Sequence, residues 1–413
     1  MLRFLQELND LLWGDGLVLL LLGTGLLCLF RLCRTPHKLK PSSARIPFHA
    51  VFTALGAAMG TGNLAGVASA LSLGGAGAVF WMWVAGICGT GLIYTENVLS
   101  ARFRQDDTAG AAAYLRYGLC SPPLAGIFAV CCVLSSFGMG CMTQTHVMAQ
   151  TLSEAFRIPA WVTGLTAAVL TAAVILGGAK RIGTFMTGAV PFVSGLYLLL
   201  GVIVIFRNRS ELGGAFSAIF RGAFGYDAVA GGISGELVRR SVSVGIRRGV
   251  FSNEAGLGSS GLLHSASDAP PEVLGRCAVA ELAADTFLCC TVTALMLLTA
   301  GTDSLLQALR TGIGTAADIL LPPITSVFAL CTLIGWSFCG SQALRSLTGG
   351  RGELVYRVSF CAAAALGACM EAEPVWLIAD IANALMAYCN LPACVLLPPA
   401  PEQSLRNAEC GTS

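Results

Sequence analysis

Residues 54–83 read ALGAAMGTGNLAGVASALSLGGAGAVFWMW, an apolar stretch that spends many glycines and sets Thr61 and Asn63 among them. Gly60, Gly62 and Gly66 invite comparison with a dinucleotide-binding loop. Their spacing is G-x-G-x-x-x-G, however, and no βαβ unit surrounds them, which that loop requires. Another reason for the glycines has to be found, and the rest of the chain supplies it.

Only 12% of the 413 residues are charged, 55% are hydrophobic, and the mean hydropathy is +0.73. Soluble domains carry about a quarter charged residues, so the composition points to a bilayer. Apolar runs near the 20-residue length needed to cross hydrocarbon recur along the chain. Eleven are counted, at about 14–30, 48–70, 76–100, 122–150, 159–177, 185–206, 245–265, 278–301, 324–348, 355–372 and 375–398. The expectation is an all-α, polytopic membrane protein, with the lipid bilayer as its obligatory surroundings. The net charge of +2 and the absence of a basic tract give no reason to expect nucleic acid or an obligate protein partner. Most of the cysteines lie inside the apolar runs, as in AVCCVLSSFGMGC, where they act as small packing residues. No CxxC pair is present, and His37, His49, His146 and His264 share no metal-binding spacing.

The amino-terminal segment carries Glu7, Asp10 and Asp15 before its apolar core and arginines after it. That order suits an anchor with its amino end outside rather than a cleaved signal. The loop that follows, RLCRTPHKLKPSSAR, is rich in Lys and Arg and is placed in the cytoplasm, which leaves the carboxyl end inside. The expected organisation is a single transmembrane unit over 1–413. Residues 1–47 would hold the first helix and cytoplasmic loop, 48–206 five helices, 207–244 a long extracellular loop ending in a surface helix, 245–398 five more helices, and 399–413 a tail.

Each five would open on a span interrupted by small and polar residues: AAMGTGNLAG (57–66) in the first and FSNEAGLGSSG (251–261) in the second. Gly-broken segments at corresponding places in two halves point to an inverted-repeat transporter. A helix in lipid satisfies its own amides, so breaking it is costly unless something polar takes the freed groups. Broken at GTGN, the span would turn backbone N–H groups toward a carboxylate and carbonyls toward a cation. A small zwitterion with a metal ion answers both. Small residues at this spacing also let membrane helices pack closely, and for LSLGGAGAVFW (71–81) packing or a turn is the simpler reading. No HExxH, GxSxG or P-loop pattern supports an enzyme.

At ALGAAMGTGNLAGVASALSLGGAGAVFWMW and RGVFSNEAGLGSSGLLHSA the chain resembles the alanine/glycine:cation symporters, or sodium:alanine symporters. The likeness continues through LSSFGMGCMTQ, VILGGAKRIGTF, CTLIGWSFCG and VWLIADIANALMAYCNLPA, in order, over nearly the full length. It implies a LeuT-type five-plus-five inverted repeat with one extra leading helix, and import of alanine or glycine with Na+. A proton-coupled or uncoupled carrier on the same fold is the alternative. By the same likeness Thr61, Gly62 and Asn63 would hold the amino acid, Gln144 would add a side-chain bond, and Phe251, Ser252 and Trp336 would enclose its far end. Sodium would lie against Gly56, Ala58 and Met59, joined by Thr332 and Asn63. Three departures stand out: Cys141 for an asparagine near the expected pocket, Ala76 for a proline, and Ser341–Gln342 for a glutamate–lysine pair.

Taken from the residues alone, Asn63 serves either as a ligand or to satisfy the helix break. Gln144 either lines a pocket or bonds across helices, and Trp336 either walls a pocket or packs. Glu254 is a candidate for proton coupling, for neutralising the basic residues at 239–248, or for capping freed amides. Glu96, Asp285 and Asp380 read as structural.

Overall fold

The computed structural model describes residues 2–34, 46–105, 107–225 and 234–397. The cytoplasmic loop expected at 35–45, part of the 207–244 segment and the carboxyl-terminal tail fall outside them. Among the described residues the chain is helical, with a single isolated bridge between Gln105 and Thr108.

Two helices open the chain, α1 (Leu2–Leu12) and α2 (Asp15–Arg34), followed by α3 (Phe48–Ala58) and α4 (Gly62–Gly74). Then come α5 (Gly77–Phe103), α6 (Gly110–Ala113), α7 (Pro122–Phe156), α8 (Ala160–Ile175) and α9 (Gly178–Arg207). The remainder comprises α10 (Leu212–Phe224), α11 (Ser234–Asn253), α12 (Ser260–Leu263), α13 (Pro271–Ala300), α14 (Leu305–Ile313), α15 (Ala316–Thr348), α16 (Glu353–Gly367) and α17 (Ala372–Leu396).

Seven segments are long and apolar enough to cross a bilayer, eight if α3 and α4 are one span bent by 43°. The count of eleven is therefore not reproduced on length and composition. The runs at 159–177 and 355–372 become helices of 16 and 15 residues. At 1.5 Å per residue these fall short of a hydrocarbon core about 30 Å thick. The run at 245–265 is divided, because α11 stops at Asn253 and helix resumes only at Ser260. The described part of 207–244, expected as a long loop ending in a surface helix, is largely helical, holding α10 as well as the start of α11. Arginines on α11 disguise that helix to a hydropathy window, yet Arg248 is buried.

Glycine sets the closest contacts in the outer layer. A Cβ on Gly91 of α5 would lie 2.2 Å from the Leu29 nitrogen of α2, and one on Gly25 of α2 would lie 2.8 Å from Cys88 of α5. Backbones can meet this closely only where side chains are missing. Helix α2 is thus packed directly against α5, and Trp13 Nε1 ties its neighbourhood to α17 by a bond to the Asp380 carbonyl at 2.8 Å.

Candidate functional site

Both segments singled out by their glycines are broken. Helix α3 ends at Ala58, Met59–Thr61 is irregular, and α4 restarts with a π-helical turn over Gly62–Gly66. Between α11 and α12, Glu254–Ser259 is non-helical, with positive φ at Glu254 (58°), Gly256 (92°) and Gly258 (76°). The two breaks face each other. The Phe251 ring lies 3.4 Å from where a Cβ on Gly62 would sit.

Side chains take the amides freed at the first break. Asn63 Oδ1 accepts from the Gly60 N–H at 3.0 Å. Gln144 Oε1 accepts from both the Thr61 N–H (3.1 Å) and the Thr61 hydroxyl (2.8 Å). Gln144 is itself fixed by a bond from Nε2 to the Met139 carbonyl at 3.0 Å, at a π-helical turn of α7. Gly60 has no room for a side chain: a Cβ there would lie 2.1 Å from Thr332 Oγ1 and 3.1 Å from Gln144 Oε1.

Asp285 joins the two breaks. It sits on a π-helical stretch of α13, fully buried. Its carboxyl accepts from Asn63 Nδ2 at 2.6 Å, from the Ser252 hydroxyl at 2.9 and 3.1 Å, and from the Thr286 hydroxyl at 3.0 Å. Cys290 completes the ring, its sulfur 3.3 Å from Asn63 Nδ2 and 3.2 Å from Ser252 Oγ. None of the ion pairs among the described residues includes Asp285. A carboxylate held by neutral hydroxyl and amide groups, with no base beside it, suits a hard monovalent cation.

Of the residues expected to form the site, Thr61, Gly62, Asn63, Gln144, Phe251 and Ser252 come together here. Among the expected cation ligands, Thr332 Oγ1 reaches the Gly56 carbonyl at 3.3 Å. Ala58 and Met59 stand at the open end of α3, where carbonyls lack a following turn. Met59 also accepts a weak bond from Ser194 at its sulfur, at 3.8 Å. Trp336, expected as a pocket wall, is fully buried and donates to Glu254 Oε1 at 2.8 Å, tying α15 to the second break. The other Glu254 oxygen accepts from Ser259 at 2.6 Å, so this acid serves the break and not the basic residues at 239–248.

Cys141 does not face this cluster. Its thiol points to the Phe360 carbonyl of α16 at 3.4 Å and packs with Leu333 and Tyr356. Gln144 reaches the break while Cys141, three residues earlier in the π-helical turn Gly138–Met142, bonds toward α16.

Sequence reasoning missed the bridging place of Asp285, although an acid within an apolar run was the available signal. It also passed over a lid-like cluster above Phe251. The Trp376 ring lies 4.9 Å from Phe251, and Arg248 lies over Trp376 at 4.7 Å. Asp380 faces Arg248 and Arg247 at 3.6 and 3.9 Å.

Two cavities approach the bent span from opposite ends. One, of about 430 Å3, is lined by Phe48, His49 and Thr53 of α3 together with Ile182 and Phe338. The other, of about 330 Å3, is lined by Leu64 and Ala68 of α4 together with Glu154, Asp303 and Thr325. The Gly60–Asn63 cluster lies between them and is buried from both.

Comparison with known proteins gives a consistent picture. The model of the sodium:alanine symporter family matches residues 1–409. The sodium/alanine symporter AgcS of Methanococcus maripaludis is 37% identical, over 95% of this chain and 94% of its own. A probable sodium/glutamine symporter of Bacillus subtilis is 32% identical (94% and 87% covered), and a putative sodium/proton-dependent alanine carrier of the same organism 30% (96% and 90%). Among solved structures, MhsT in complex with L-phenylalanine superposes with a TM-score of 0.60 at 13% identity, covering 85% of this chain and 88% of that one. This likeness shows the fold, which is LeuT-type.

Proposed function

Since the chain belongs to the sodium:alanine symporter family, we propose that it imports a small neutral amino acid, alanine or glycine, together with Na+ by alternating access. It is a multi-pass membrane transporter and not an enzyme. The observation that carries the finer reading is Asp285, a buried carboxylate that touches a side chain from each of the two broken spans.

The proposed coupling follows from the Asn63 amide. In the present arrangement its NH2 faces Asp285 and its oxygen holds the Gly60 N–H. A sodium ion against Asp285 needs oxygen ligands, which Ser252, Thr286 and a turned Asn63 amide supply. Turning the amide releases the Gly60 N–H toward the substrate. Gln144 Oε1 marks where a substrate carboxylate oxygen would rest, bonded to the Thr61 N–H and hydroxyl. Ion binding therefore preorganises the substrate amides, which is positive cooperativity without direct contact. A second cation position lies at Gly56, Ala58, Met59 and Thr332. Phe251 and Ser252 close the site from the second break.

In this reading α3–α9 and α11–α17 are the two inverted halves, with α1–α2 as the extra leading span. The amino terminus lies outside and the carboxyl terminus inside, on the strength of the Lys/Arg-rich loop after α2. Reconstituted vesicles test the whole proposal. Labelled alanine should accumulate only under an inward Na+ gradient. Accumulation driven by a proton gradient alone would favour the alternative driving force, and equilibration regardless of gradient would favour an uncoupled carrier.

A further inference from the structure

Glu96 is a buried acid that the binding site does not use. It lies on α5, fully buried, against the second break. Its Oε1 accepts from the Gly256 N–H at 2.9 Å and from Asn390 Nδ2 at 2.5 Å. Asn390 Nδ2 also bonds the Gly256 carbonyl at 2.9 Å, and Asn390 Oδ1 accepts from the Tyr114 hydroxyl. The second oxygen, Oε2, is buried and completes no hydrogen bond, although the Gly258 N–H also faces the carboxyl. None of the ion pairs among the described residues includes Glu96.

The groups that face this carboxyl come from four elements. Helix α2 contributes Cys28, and Arg31 beyond it is bonded to the Cys394 and Val395 carbonyls. Tyr114 follows α6, Cys394 comes from α17, and Glu254 lies on the break itself. Glu254 is a second buried acid beside a carboxyl that already has one buried oxygen without a hydrogen bond. Leaving an ionised carboxylate in that position costs far more than an unmade hydroxyl hydrogen bond.

We propose that Glu96 is a proton-binding site that latches the second helix break. Glu96 is protonated while Gly256 is seated on α5 as here, and it gives up the proton when the break moves and water reaches Oε2. The O–H bond parts heterolytically, the carboxylate keeps the electron pair, and water takes the proton. Protonation and break position are then reciprocally linked: acid holds the break closed and alkali loosens it. The inference rests on the symport reading only in requiring that the break move during turnover.

Infrared spectroscopy of the full chain in lipid provides the direct test. The wild type should show a protonated-carboxyl C=O band that is lost in Glu96→Gln. Hydrogen exchange over 252–260, corrected for intrinsic rates, should show wild-type protection falling roughly tenfold per pH unit while seated Glu96 keeps its proton and the opened carboxyl does not, levelling off once Glu96 ionises in the seated state, and no such fall in Glu96→Gln. Should that variant not fold, Tyr114→Phe, which removes only the bond behind Asn390, should displace the wild-type pH dependence. A band that persists in Glu96→Gln, or wild-type protection indifferent to pH, overturns the proposal. Na+-driven alanine uptake measured on the same preparations fails separately: its loss with the band present would sink the symport reading and leave the proton site standing.

Discussion

The two broken spans both use side-chain amides, but only the second adds buried acids. At the first, three residues between Ala58 and Gly62 are irregular, and neutral amides from Asn63 and Gln144 take the exposed N–H groups. At the second, six residues are irregular and three adopt positive φ; the Glu96 carboxyl takes the Gly256 N–H and Glu254 the Ser259 hydroxyl, beside amides from Asn253 and Asn390. Glu254 is one of those three, although a non-glycine residue there costs on the order of 1 kcal/mol or more. An amide oxygen can be displaced by a substrate carboxylate without stranding a charge. A buried acid cannot be displaced so cheaply. The first break is therefore built to exchange partners and the second to be held or released as a unit.

The sharpest way to break this comparison is to fill the first gap. Gly60→Ala would place a methyl group 2.1 Å from Thr332 Oγ1, so Na+-dependent alanine uptake should fall to background. Gly66→Ala, at the far end of the π-helical turn that follows the break, meets nothing within 4 Å and should keep most uptake in the same vesicle assay. Equal activity for the two would show that the first break demands no special geometry.

Next in size is the bridge between the breaks. Asp285→Asn should lower Na+ affinity at least tenfold, about 1.4 kcal/mol, read as a shift in the Na+ dependence of alanine uptake or binding. Asn63→Ala removes a bond to a charged group worth about 1.5–3 kcal/mol. It should cut uptake roughly 10- to 150-fold while the detergent-extracted protein still elutes as a folded species. Unchanged transport in either variant would detach that residue from coupling.

Smaller effects are expected where side chains turn away from both breaks. Cys141→Asn puts an amide among Leu333, Tyr356 and Phe360, which should cost about 1–3 kcal/mol of stability in a thermal-shift assay. The ranking of alanine, glycine and serine in a competition panel should not move.

The smallest effect concerns Glu353 at the start of α16. Partial burial pushes its carboxyl up, but the Ser341 hydroxyl and the Arg357 and Arg345 guanidiniums outweigh this and hold it below the usual glutamate range. A lowered folded-state value contributes stability above the unfolded value and loses it as pH falls through the folded one. Ser341→Ala should therefore lessen the acid sensitivity of the melting temperature, by less than about 1 kcal/mol in this partly exposed position.

The breaks were legible because glycine, threonine and asparagine inside an apolar run do little for a helix except part it, and the matching run at 251–261 doubled the signal. The membrane class was legible from composition alone. Asp285 was not singled out, because its importance lies in contacts with Asn63 and Ser252, 222 and 33 positions away along the chain. Seven or eight segments meet the length-and-composition test where eleven runs are counted, because a hydropathy run does not reveal where a short connection divides it. The orientation of Cys141 was not legible, because three residues and a π-helical turn separate it from Gln144, and a substitution pattern does not encode that turn.

The glycine-to-backbone contact between α2 and α5 has a mechanical consequence. Helix α5 carries Glu96, and with Gly91 seated on the α2 main chain it has no slack to slide or roll. A leading helix that looks dispensable by its position thus acts as a splint. Whatever part swings during the cycle must lever against this braced pair, so trimming the splint should blunt the stroke before it harms the grip on cargo.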